Sequence, residues 1–196
     1  MKLLLARHGQ SQGNEKGLVQ GSLDPGLTAR GQRQARALGK LLKSEHITAS
    51  YASPLRRARE TAELAGQSPT LEPALRESRM GKLEGMTHEQ VEQTYPHLFE
   101  KFFGDPRYKM PEGESLLEVQ KRVRPFLRML YREHLDEVVF VAAHNTVNRV
   151  LLATLLDVPL NRCRVFKQKN ACLNTLYLSN ERAELYSLNS DLHYIR

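Results

Sequence analysis

The sequence predicts an α/β fold: a three-layer α/β/α sandwich around a mostly parallel but mixed sheet, with a small helical lid inserted at about residues 86–112. Three observations predict it. Short apolar runs alternate with longer segments that begin at helix caps, the pattern of strand–helix units. The run at 138–143 is apolar throughout, as suits a central strand covered on both faces. The runs at 175–179 and 184–188 flank the polar turn Asn180-Glu181-Arg182-Ala183, which reads as an antiparallel hairpin and makes the sheet mixed. A length of 196 residues suits one domain over 1–196, large enough to bury a core without staples.

Taken in order, residues 3–6 form a short buried strand. Thr28 caps a helix that runs to about Ser44. Residues 47–52 form a second strand. Ser53-Pro54 then opens a helix, with serine at the cap and proline in the first turn, and Gly66 ends it. Thr87-His88-Glu89-Gln90 is a capping box for a short helix that stops before Pro96. Ser115-Leu116-Leu117-Glu118 is a second box, opening a long helix to about His134 that is expected to bend near Pro125. After the central strand, Asn145 caps a helix to about Leu156.

Composition narrows the function classes. Lys and Arg number 29 against 22 Asp and Glu, a formal net charge of +7. That balance suggests an anionic partner. Much of it falls on predicted helices, at Arg30, Arg33, Arg36 and Lys40 and at Lys121, Arg122, Arg124 and Arg128, where a solvated basic face accounts for it. No aromatic-basic stacking motif appears, so no nucleic acid is expected. No stretch approaches the roughly 20 apolar residues of a membrane span. The first apolar run is cut off by Arg7 and His8, too short for a signal peptide, so a soluble cytoplasmic protein is expected. Cys163 and Cys172 fit neither a disulfide framework nor a zinc pattern and read as buried small side chains.

Three predicted strands end in polar groups. The first ends at Arg7-His8-Gly9, the second at Ser53-Pro54-Leu55-Arg56-Arg57, and the central one at His144-Asn145. Ligands of open α/β sheets bind beyond the carboxyl ends of the strands. If these three are neighbours, two histidines and two arginines converge at the starts of helices, whose free amides also attract anions. Such a site wants a dianion, and phosphate fits best. A neutral imidazole can attack phosphorus and carry it as phosphohistidine, provided its other ring nitrogen is tied to a carbonyl. Arginines clamp the equatorial oxygens. The leaving alkoxide needs a proton from a carboxylic acid, which a neighbouring phosphate keeps protonated. Glu77 and Glu84 are both candidates, and their positions alone do not choose between them.

These residues resemble the histidine phosphatase superfamily, which includes the cofactor-dependent phosphoglycerate mutases, and the likeness spans nearly the whole chain. The blocks are Arg7-His8-Gly9 through Asn14; Gln20-Gly21 with Asp24-Pro25-Gly26-Leu27-Thr28, Gly31 and Gln34-Ala35; Ser53-Pro54-Leu55-Arg56-Arg57-Ala58 with Thr61-Ala62; Leu75-Arg76-Glu77 with Gly81 and Glu84-Gly85; Gly113-Glu114-Ser115; and His144 after its apolar strand. The three-residue opening alone would say little; six blocks in order say much more. The resemblance implies that His8 is the phosphorylated nucleophile and that Arg7, Arg57 and His144 form the phosphate pocket. It implies that Glu77 donates a proton and then activates water, and that Asn14 binds the transferring group. Gln20 and Gly21 would lie at the pocket's edge, and Glu84 would be structural or stand just behind the residues that touch the substrate. No metal and no cofactor are implied. Two departures stand out: Asn145 replaces the usual glycine and is expected to narrow the pocket, and Pro25 falls one position early. Both look more like the metal-independent phosphoserine phosphatases than the mutases.

Taken singly, each residue has a plainer explanation: a loop histidine, a helix-surface arginine, a surface carboxylate paired for at most about 1 kcal/mol. Only the joint pattern points to catalysis. His46, His88, His97 and His134 lack such a setting and read as structural. The expected activity is a metal-independent phosphatase acting on a small phosphorylated metabolite. A phosphoglycerate mutase is the first rival, disfavoured because mutases of this kind resemble longer chains. A catalytically inactive phosphoryl-ligand binder is the rival of another class. Among residues 86–112, Tyr95, Phe99, Phe102, Phe103 and Tyr108 either cover the pocket or pack the lid. Arg79, Lys82 and Lys109 are expected to meet a substrate carboxylate, and Leu188-Asn189 with His193 resemble a tail that closes such sites. A monomer or homodimer is expected.

Overall fold

The computed structural model describes residues 1–180 and 182–195. In chain order the elements are β1 (Lys2–Arg7), α1 (Gln12–Glu15), α2 (Ala29–Leu42), β2 (Ala49–Ala52), α3 (Arg56–Leu64), β3 (Thr70–Leu71), α4 (His88–Thr94), α5 (Leu98–Gly104), α6 (Leu116–Glu133), β4 (Val138–Ala143), α7 (Asn145–Leu155), β5 (Leu173–Leu178), β6 (Ala183–Ser190) and α8 (Leu192–Ile195). The sheet order is β3-β2-β4-β1-β5-β6. The first four strands are parallel, and β5 and β6 turn antiparallel as the hairpin signal predicted. Glu181 of that turn lies outside the described residues.

Strand alternation makes the layers. Leu3 and Leu5 of β1, with Val139, Val141 and Ala143 of β4, face a core built with α6 and α7. Leu4 and Ala6, with Phe140 and Ala142, face the other way, onto Leu38 and Leu42 of α2 and Ala62 of α3. Both faces of β4 are covered, which explains its unbroken apolar sequence. Burying one such side chain as Phe140 contributes roughly 1.5–3 kcal/mol. Cys163 and Cys172 are free and buried, and burial raises both thiols to about 11.

Local signals held where the cap is local. The Thr28 hydroxyl accepts from the Gly31 amide, and the boxes at Thr87 and Ser115 are complete. Helix α6 continues through Pro125 to Glu133. Two expected caps are corrected. Helix α3 starts at Arg56, with Leu55 as its uncapped N-cap; the Ser53 hydroxyl instead accepts from the Leu55 amide at 3.2 Å. The Arg56 amide is taken by the Asp24 carboxylate from another loop. At α7, His144 is the N-cap and Asn145 the first helical residue, and neither side chain caps. The second strand is also shorter than expected, beginning at Ala49.

Candidate active site

Strand register builds the site. In the parallel pairs, Arg7 lies opposite Ala143 and Ala52 opposite Ala142, so β1, β4 and β2 end at one level. His8 and His144 therefore leave the sheet side by side, with ring centroids 5.2 Å apart. The loop after β1 lies tight against the start of α2. A Cβ on Gly9 would meet the Gly31 carbonyl oxygen at 2.6 Å, and one on Gly31 would meet that of Gln10 at 2.0 Å. The Gly9 amide donates to the Thr61 hydroxyl (3.0 Å), which donates to the Arg57 carbonyl (2.7 Å), tying this loop to α3.

The His8 ring is oriented by one contact: Nδ1 lies 2.7 Å from the Gly9 carbonyl oxygen. A carbonyl only accepts, so Nδ1 carries the hydrogen and Nε2 is left as the basic nitrogen. His8 is 2% exposed. Burial first, then the charges of Arg57 and Arg7, push its pKa well below that of an ordinary histidine, so the ring is neutral near pH 7. His144 is wholly buried and shifted down by burial first, then by Arg57, His8 and Arg7. Neither of its ring nitrogens has a partner among the described residues.

Arg57, 1% exposed, donates to the Leu23 carbonyl at 2.6 Å and the Gly21 carbonyl at 2.9 Å. Burial lowers it to about 10, which leaves it charged at neutral pH. It thus organises the 20–23 loop as well as presenting charge. Gly21 suits this loop, with φ +47° and a position where a Cβ would meet Glu84 Oε1 at 2.2 Å. That same oxygen accepts from the Ser22 and Met80 amides, so Glu84 braces two loops, as expected of a structural residue. Arg7 donates to the Gln168 carbonyl. Asn14 Oδ1 accepts from the Ser11 amide (3.1 Å) and Asn170 Nδ2 (3.0 Å), leaving its amide nitrogen to donate elsewhere.

Glu77 is buried, and its carboxylate sits on the N-terminus of α7. It accepts from the Thr146 amide at 3.2 Å, the Val147 amide at 3.3 Å and its neighbour Ser78 at 2.9 Å. This is the cap that Asn145 does not supply. These amide contacts at the helix start fix the position of the Glu77 carboxyl group. His8, Arg7, Arg57, Glu77, Asn14, Gln20, Gly21 and Asn145 all line one cavity of about 300 Å³, while His144 lies against His8 within the wall. That volume is at the small end for ligand sites and suits a small metabolite.

Sequence reasoning misplaced some of the periphery. Lys82 pairs with Glu112 at 3.0 Å, Lys109 with Glu118 at 3.0 Å and Arg79 with Glu114 at 3.9 Å, and none of the three lines the cavity. Arg149 and Arg164 line it instead. His88, expected to be structural, is at the cavity wall with its ring 5.6 Å from that of Phe99. Of the aromatics at 86–112, Phe99 and Phe103 line the cavity, while Phe102 is buried in the core, against which Tyr95 and Tyr108 also pack. No described residue of the tail lines the cavity: α8 packs against α2, and Asp191 pairs with Lys169 at 2.9 Å. Asn170 was missed, yet it donates to both the His8 carbonyl and Asn14. No motif marks it, because its role depends on a contact across more than 150 residues of chain.

An α/β protein that sets two guanidinium groups and helix N-termini around a neutral imidazole is equipped to hold a dianion against a nucleophile. Known proteins agree with that class. The family described as the histidine phosphatase superfamily (branch 1) matches residues 3–191. Phosphoserine phosphatase 1 of Hydrogenobacter thermophilus is 34% identical over 199 residues, covering 98% of this chain and 94% of that protein. A mycobacterial glucosyl-3-phosphoglycerate phosphatase, solved with VO3, superposes with a TM-score of 0.89 at 29% identity, covering 96% of this chain and 98% of that one. YhfR of Bacillus stearothermophilus gives 0.90 at 28% identity, with 98% of each chain covered. The chain belongs to the histidine phosphatase superfamily.

Proposed function

We propose that this protein hydrolyses a small phosphomonoester without a metal, through phosphohistidine on His8. The observation that carries the reading is the Nδ1 contact of His8 with the Gly9 carbonyl, which leaves Nε2 basic in the same cavity as Arg7, Arg57 and Glu77. In the first step Nε2 attacks phosphorus, the P–N bond forms and the ester P–O bond breaks. Glu77 gives its proton to the departing alkoxide. In the second step Glu77 takes a proton from water, the water oxygen bonds to phosphorus, the P–N bond breaks and phosphate leaves. Arg7, Arg57, His144 and the Asn14 amide donate to the equatorial oxygens throughout, the positioning and charge stabilisation that phosphoryl transfer needs.

Two of the relatives named above support hydrolysis over mutase chemistry, since their names are those of phosphatases of phosphoserine and glucosyl-3-phosphoglycerate. Two arginines supply the charge that a metal would otherwise bring. Among the described residues no group of three or more His, Cys, Asp or Glu side chains is placed to hold a metal. The segment at 86–112 acts as a lid, placing His88, Phe99 and Phe103 on the cavity. The test is a panel of phosphomonoesters incubated with EDTA, with rapid quench and mass spectrometry of the His8 peptide. Inorganic phosphate and acid-labile phosphate on His8 are expected. Conversion of 3-phosphoglycerate to 2-phosphoglycerate without free phosphate would establish a mutase. Activity abolished by EDTA would remove the metal-free reaction, and no label with no product would leave a binding protein.

A further inference from the structure

Two cations in the cavity have no part in the phosphoryl transfer just described. Arg149 lies one helical turn past Asn145 on α7, and Arg164 lies in the 3-10 turn Leu160–Val165, against which α5 packs. Both guanidinium groups stand over the Phe103 ring of α5, with Cζ 5.5 Å and 5.2 Å from its centroid. Arg149 Nε donates to the Phe166 carbonyl at 3.2 Å, and among the described residues neither arginine is ion-paired with a carboxylate. Arg79, Lys82 and Lys109 are in the opposite state, each paired with a glutamate.

Two like charges over one ring repel each other. Burial holds Arg149 below the usual arginine value, and the Arg164 charge is a smaller cause in the same direction. A cation–π contact offsets only about 0.5–2 kcal/mol of such a cost and neutralises nothing. An anion received between the two groups would remove the repulsion and gain charge-assisted hydrogen bonds from both. The cavity that would deliver it is the one containing His8.

We infer that Arg149 and Arg164, over Phe103, form a subsite for a second acidic group of the substrate. The preferred esters then carry a carboxylate or a second phosphate besides the phosphate transferred to His8. This rests on the phosphatase reading and narrows its substrate class. Arg164 is the specificity-determining residue to vary, because it is exposed and its side chain makes no hydrogen bond within the described fold.

The experiment compares 3-phosphoglycerate with glycerol 3-phosphate, which differ by a carboxylate in place of a hydroxymethyl group, and adds ethylene glycol bisphosphate for the second-phosphate case. The wild-type protein should favour at least one acidic ester over glycerol 3-phosphate by about tenfold or more in kcat/KM, the size of one charge-assisted contact. Arg164→Gln should collapse that ratio, mainly through KM, and Arg164→Lys should restore part of it. The identity of the favoured ester separates carboxylate from phosphate recognition. A wild-type ratio near one, or an equal loss on all esters in Arg164→Gln, overturns the subsite. If no ester turns over, the phosphatase reading fails. Calorimetric titration of the same esters into both proteins then decides the subsite, with equal affinities overturning it.

Discussion

His8 and His144 are buried imidazoles held neutral by desolvation and by two nearby guanidinium groups. Their folded values lie below the ordinary histidine value of about 6.5, while the unfolded chain keeps it. Below that value the unfolded state binds more protons than the folded one. Stability is therefore complete above about pH 6.5 and falls with pH from there toward the folded values, by up to about 1.4 kcal/mol per pH unit for each ring. Denaturant titrations of the phosphate-free protein between pH 7.5 and 5.5 should show this fall, with His8→Asn and His144→Asn each flattening it. A stability unchanged over that range would mean that the rings are not desolvated as described. At this scale the clustering of His8, Arg7, Arg57 and His144, the proposed nucleophile and phosphate ligands, was legible because each closes a strand or opens a helix in a readable run. Arg164 was not, since an isolated arginine in a turn has no pattern. Arg149 left one unread signal, its spacing of four from Asn145, which puts both on one helix face.

Glu77 shows how an element is placed by side chains far from it. Its segment is clamped by Arg122 of α6, which donates to the carbonyls of Ala74, Arg76 (2.8 Å) and Glu77 (3.3 Å). Arg122 is fixed in turn by both oxygens of Glu114, at 3.1 and 3.2 Å, and Glu114 also accepts from the Arg79 amide at 2.9 Å. Arg122 is thus placed to act as a positioning residue for Glu77, the proposed proton donor. Arg122→Met should lower kcat on alkyl phosphates about tenfold or more, a part of the full general-acid contribution of roughly 10²–10⁴. It should affect p-nitrophenyl phosphate much less, because that leaving group needs no proton. Equal losses on both would reduce Arg122 to a stabilising contact. The same long reach explains which helix starts could be read. Thr28, Thr87 and Ser115 cap from within their own sequence, so a local rule found them. Helices α3 and α7 take their carboxylates from Asp24 and Glu77, and there the local rule credited Ser53 and Asn145 wrongly.

Across the whole molecule, the order β3-β2-β4-β1-β5-β6 turns scattered motifs into one site. The runs ending in His8, Arg57 and His144 are far apart in the chain yet follow adjacent strands, which meets the condition that the sequence left open. The cavity's far wall was not predictable, because it depends on how α5 packs on the 160–165 turn. Charge is divided at the same scale. The basic residues Arg36 and Lys40 lie exposed on α2, away from the cavity, whereas Arg7, Arg57, Arg149 and Arg164 line it. A cleft of one sign focuses the field on an incoming anion, and salt screens that attraction over a Debye length of about 10 Å at 0.1 M. Raising ionic strength from about 20 to 200 mM should therefore lower kcat/KM severalfold for a dianionic ester while leaving kcat nearly constant. If the cavity carries this effect, Arg36→Gln with Lys40→Gln keeps the salt slope and Arg164→Gln flattens it. If net charge alone carries it, all three substitutions flatten the slope alike, and steering by the cavity is refuted.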